Sequence, residues 1–237
     1  MKWRHLTESL SASRQNFDRQ LEVVLGAAEE NSFTIHCRDG CGNCCTLAVN
    51  CSFPEAVTIA ASLTAEQKAK IEQTMARLQQ ISRTADNLKQ FLSLFRKQAG
   101  GCPFLDRQRQ SCEIYPLRPF SCRSLLSTRP ASWCGVDFST LHPLEKQAFI
   151  SSLDPTLVAF PTHYLAAPQE LGAELEAHAI SNMRDSFGFG LSGNLIYLVW
   201  LELQDHLSTM IATDAEAARK FIVQKQLKAP FLLQLSE

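Results

Sequence analysis

The chain has 237 residues, is 45% hydrophobic, and carries 23 basic against 24 acidic residues for a formal net charge of -1. At this size roughly 70 to 75% of the surface can be buried, so folding does not require covalent staples. The balanced charge excludes a general electrostatic attraction to nucleic acid or to an anionic membrane, and neither is expected as a partner.

The N-terminal stretch from Met1 to Glu8 is charged and lacks the uninterrupted apolar core of a secretory signal. The longest apolar run, Leu195 to Leu201, falls far short of the roughly 20 residues of a membrane span. A cytoplasmic protein is therefore expected. Nine cysteines are many for such a chain. In a reducing compartment that density favours metal ligation or redox chemistry over disulfides.

In chain order, Phe17, Leu21, Val24 and Leu25 recur at helical spacing and predict an amphipathic helix from Leu10 to Glu29. Between Phe33 and Phe53, Gly40, Gly42 and five cysteines make a ligand loop, too rich in glycine and thiols for a regular apolar element. Pro54 with Glu55 suits a first helical turn, and Thr64-x-x-Gln67 resembles a capping box ahead of Ile71, Met75, Leu78 and Ile81. Leu88, Phe91, Leu92 and Phe95 continue the helical pattern until Gly100-Gly101 stops it. From Cys102 to Cys134 four prolines predict loops, a short hairpin and one brief helix. Beyond it, Leu175 to Met183, a buried Leu195 to Leu207 and Thr213 to Gln226 are expected helices. The expected fold is mainly α: an irregular cysteine-rich metal-binding core with a short hairpin, followed by a helical C-terminal extension. The expected division is an N-terminal helix over 1–32, the cysteine core with its helical spacer over 33–135, and the extension over 136–237, packed as one compact domain.

Cys37-x3-Cys41-x2-Cys44-Cys45, with Cys51 six residues later, lets several thiolates reach one centre, while Gly40 and Gly42 let the backbone wrap it. Neighbouring Cys44 and Cys45 point opposite ways in any extended backbone, so they are expected to have different roles. The second group, Cys102, Cys112 and Cys122, lies in CPFL, CEIY, PLRP and CR segments. A lone cysteine is usually a small hydrophobe; two groups together argue for a site. Eight thiolates suit two structural zinc ions, or one four-iron cluster with supporting thiols, and spacing leaves both open.

This pattern resembles the YkgJ-like cysteine-cluster family, whose members are described as zinc- or iron-chelating and which includes flagellin lysine methylases. The resemblance covers residues 33 to 126. It implies that Cys37, Cys41, Cys44, Cys45, Cys51, Cys102, Cys112 and Cys122 are the metal ligands, with Cys134 as the extra thiol. It also implies an iron-sulfur cluster or zinc as cofactor. A lysine methylase would add S-adenosylmethionine and a protein substrate, with Glu55, Glu113 or Tyr115 available for proton transfer. A zinc-stabilised module that binds a protein partner is the third reading, the metal supplying folding energy. The spacing of Cys37, Cys41 and Cys44 also occurs in radical enzymes that use S-adenosylmethionine, but Asn43 replaces their usual aromatic residue and the chain lacks the strand pattern of a barrel. Arg118 and Arg123 flank Cys122 as candidate donors to sulfur or to an anion. His36, beside Cys37, is a secondary ligand candidate.

Overall fold

A computed structural model describes residues 2–30, 33–38 and 40–237. Asp39, within the first cysteine spacer, and the expected boundary at 32/33 lie outside the described residues. The fold is mainly α, with ten α-helices and five short strands among the described residues. Its first helix, α1 (Lys2–Glu30), starts a full two turns before the expected Leu10. Leu6 and Leu10 are buried there beside Phe17, extending the apolar stripe towards the N-terminus.

Helix α2 (Phe53–Ser62) begins with Pro54 in its first turn and Glu55 at its third position. The Thr64 capping box opens α3 (Ala65–Thr84): Gln67 N–H donates to Thr64 Oγ1 at 3.3 Å, and Thr64 N–H to Gln67 Oε1 at 3.0 Å. Helix α4 (Leu88–Gln98) starts at Asn87, whose Oδ1 accepts Gln90 N–H at 2.9 Å. A two-stranded hairpin, β2 (Leu105–Asp106) with β3 (Ser111–Cys112), precedes the short α5 (Phe120–Arg123). The C-terminal part contains α6 (Pro143–Ser151), α7 (Ala166–Phe187), α8 (Leu195–Asp205), α9 (Leu207–Thr213) and α10 (Ala215–Lys228). Helix α8 is buried along most of its length and packs on α2 and α3, as its apolar composition predicts.

The sequence pattern gives no sign of the three-stranded antiparallel sheet. Its order is β1 (Asn50–Ser52), β4 (Gly190–Asn194), β5 (Leu233–Ser236). Segments of three to five residues, one of them Gly190-Leu191-Ser192-Gly193-Asn194, are too short and too glycine-rich to show alternation. The sheet joins the cysteine loop to the C-terminal helices: Cys51 stands opposite Gly193, which in turn stands opposite Leu233. Gly193 cannot be replaced without movement, because a Cβ would lie 2.2 Å from the Leu232 carbonyl oxygen. The main core runs through α2, α3, α4 and α8, with smaller apolar clusters around Phe17 and Phe120, and around Phe149.

Candidate metal centre

Two backbone clamps fold the first cysteine loop against the second group. At one end His36 N–H donates to Ser127 O at 2.9 Å, and Ser127 N–H returns to Cys37 Sγ at 3.2 Å. At the other, Cys102 N–H donates to Cys45 O at 2.8 Å. Between them the loop takes one 3₁₀ turn at Asn43–Thr46, so Cys44 and Cys45 lie in a tight helical turn instead of an extended chain. The hairpin β2–β3 closes over this turn at Gly42, where a Cβ would meet Leu105 Cδ1 at 2.7 Å and Gln110 Oε1 at 3.0 Å. Glycine here is a condition of the approach, and it brings Cys112 in with the hairpin.

The outcome is one cavity of about 250 Å³. Cys37, Cys41, Cys44 and Cys45 line it from the first group, and Cys102, Cys112 and Cys122 from the second. The eighth cysteine on its wall is Cys134, in the 3₁₀ turn Ala131–Gly135. Cys51 does not line it. That thiol is fully buried in β1, within the main core cluster, where β1 packs on α2, α5 and α7. Cys134, expected as the extra thiol, thus lines the cavity, and Cys51, expected among the ligands, does not. Sequence order placed Cys51 with its neighbours, whereas the β1 pairing that turns it inward depends on β4, some 140 residues away in the chain. His36 is engaged through its backbone and is not among the residues lining the cavity.

The electrostatics suit a cation. Burial pushes the Cys37 thiol up to about 11, aided by the nearby Cys134, Cys44 and Cys41. A hydrogen bond to Cys102, together with burial, pushes Cys45 up to about 12. Cys44 is raised further, first by its hydrogen bond to Cys45 and then by burial, and burial also raises Cys112, Cys122 and Cys134. These thiols hold their protons in the protein alone because ionised sulfurs would repel one another in a desolvated space. A bound metal cation reverses that balance, since thiolate is the ligand form and the ion's charge dominates the local field. The donor set, soft sulfur throughout, fits zinc or an iron-sulfur cluster and does not fit calcium or magnesium. Among the described residues, no three histidine, cysteine or acidic side chains already form a closed ligand group; the thiols meet as the lining of one space.

Arg118 is the cation that acts on three of these sulfurs. Its charge favours ionised Cys44, Cys112 and Cys122. The guanidinium lies 3.7 Å from the centroid of the Tyr115 ring, and its buried Nε has no hydrogen-bond partner. Arg123, by contrast, is structural. It pairs with Asp18 at 2.6 Å and donates to the carbonyls of Arg118 and Pro116. The groups expected to move protons are also engaged. Buried Glu55 accepts from Ser52 N–H at 2.9 Å, Ser52 Oγ at 2.8 Å and Phe120 N–H at 2.9 Å, tying α2 to α5. Glu113 accepts from Lys70 at 2.8 Å and Gln67 at 3.2 Å, fastening the hairpin to α3. Tyr115 is exposed and carries the Arg118 stack.

The signal for His163 and Tyr164, which stand behind Cys134, was absent from the cysteine spacing. His163 Nε2 is 3.5 Å from Cys134 Sγ. Comparison with known proteins yields no significant match to a curated protein or to a solved structure. Residues 36–145, just under half of the chain, match the family model CxxCxxCC, described as a "Putative zinc- or iron-chelating domain". The segment that holds both cysteine groups, from 36 to 145, is thus similar to this family of zinc- or iron-chelating domains.

Proposed function

We propose that the chain holds a polynuclear metal–thiolate centre, an iron-sulfur cluster in preference to a single zinc ion, in the cavity between its two cysteine groups. One observation carries this reading: eight of the nine cysteines line a single cavity. One tetrahedral zinc takes four ligands, which would leave four mostly half-buried thiols facing the same space without a role; two zinc ions would use all eight, and metal content separates them from a cluster. A cluster takes four thiolates at its corners and uses further sulfur contacts, burial and nearby charge to set its potential. Arg118 lines the cavity and acts on three of its sulfurs, which supports a redox role for such a cluster. Such a centre requires reduced thiols, which accords with a cytoplasmic setting. The methylase reading, with its S-adenosylmethionine and protein substrate, gains nothing from the site, because Glu55 and Glu113 are committed to structural hydrogen bonds.

The test is the composition of protein purified without oxygen. Iron with a comparable amount of acid-labile sulfide, and a visible absorption bleached by dithionite, is the expected result. Zinc without iron would replace the cluster by a structural zinc site. Neither metal, with all cysteines titrating freely in the native protein, would end the proposal.

A further inference from the structure

Cys134 and the residues packed behind it form a unit that the two cysteine groups do not account for. Cys134 is 5% exposed and His163 4% exposed, and their Sγ and Nε2 atoms are 3.5 Å apart. The Tyr164 side chain also lies beside the Cys134 sulfur. Ser127 N–H reaches Cys37 Sγ at 3.2 Å, while its Oγ donates to Arg129 O at 2.6 Å. The imidazole is held on its faces and edge: its centroid lies 4.3 Å from Tyr164 and 5.7 Å from Phe149, and Phe149 packs on Trp133 at 4.3 Å. Its backbone is fixed as well, since Thr128 N–H donates to His163 O at 2.9 Å. A buried sulfur on the cavity wall with an imidazole nitrogen and a phenol beside it has the polar neighbours that a thiolate needs and that a thiol serving as a small hydrophobe would not require.

We propose that Cys134 is a ligand of the metal centre in this cavity and that His163, through Nε2, is the residue that orients its sulfur. This rests on the metal-centre reading above. On ligation the Cys134 thiol gives its proton to solvent and its sulfur bonds to the metal, and His163 Nε2–H then donates to the thiolate. Cys51, which faces the core, takes no part in ligation. His163 and Tyr164 lie beyond residue 145, so the centre is completed by a segment outside the family domain.

The test compares C134S, C134A and C51S with the unaltered protein, all purified without oxygen. The measurements are metal per chain and visible absorption, with cobalt(II) substituted where the metal is zinc. The two Cys134 variants should bind metal about tenfold more weakly or worse while keeping native circular dichroism, whereas C51S keeps its metal. Full metal and an unchanged spectrum in C134S and C134A would overturn the assignment, as would equal metal loss in C51S. Absence of metal from the unaltered protein would instead remove the underlying reading. For the orienting role, H163F preserves the aromatic packing without a donor and H163Q supplies an amide N–H. The sulfur-to-metal charge-transfer absorption should shift in H163F and return in H163Q. No shift in H163F, or a shift that H163Q leaves uncorrected, would overturn the role given to His163.

Discussion

At the scale of single residues, the structure separates groups that look alike in sequence. Arg118 and Arg123 flank the same cysteine, yet one is bound to Asp18 and to two carbonyls, while the other faces three thiols with an unpartnered Nε. Arg118→Met should therefore weaken metal binding about tenfold to a hundredfold, measured by chelator competition, with little change in the fold. Glu55 behaves oppositely. Glu55→Ala leaves three hydrogen-bond donors at a buried junction without an acceptor, and should destabilise the protein by about 2–4 kcal/mol in urea unfolding. The cysteines themselves were legible in the sequence as a class, because their density and the glycines between them have no other economical explanation. Their individual directions were not. Whether Cys51 or Cys134 faces the cavity depends on strand pairing and on the Trp133–Phe149 cluster, and neither is written in cysteine spacing.

Among secondary elements, helices with a local start signal were the most legible. The Thr64–Gln67 box and the Pro54–Glu55 first turn both mark helix beginnings in the structure. The missing element was the sheet, whose strands are three to five residues long and gain their stability from partners far along the chain. Its tightest point gives a direct test. Gly193→Ala places a methyl group against the Leu232 backbone, which cannot turn aside as a side chain can. The substitution should cost at least about 2–3 kcal/mol of stability, seen as a lowered urea midpoint. At Gly42 the obstructing atoms are the ends of Leu105 and Gln110, so Gly42→Ala should be milder for the fold. Its effect should appear in metal content, because it pushes the hairpin that carries Cys112 away from the Cys44–Cys45 turn.

Across the whole molecule, one half-buried carboxylate, Glu176, gives stability a pH dependence separate from the thiols. Burial, with the negative charge of Glu55, raises the Glu176 pKa from 4.5 to about 7. The folded state therefore holds this proton more tightly than the unfolded chain does. The associated stabilisation is fully present below about pH 4.5 and is lost as the pH rises through about 7. Urea unfolding at pH 5 and pH 7.5 should show the loss in the unaltered protein, and Glu176→Gln should remove that part of the difference. The three-stranded sheet also bears on how the protein is made. Asn194 caps α8 and lines the cavity, and its own N–H is held by the Leu232 carbonyl at 2.9 Å. A nascent chain emerging from the ribosome thus presents all nine cysteines long before residues 232–236 arrive to fix that wall. For the metal centre proposed above, the cavity wall at Asn194 is therefore complete only once β5 has paired with β4, and loading is expected to follow that pairing.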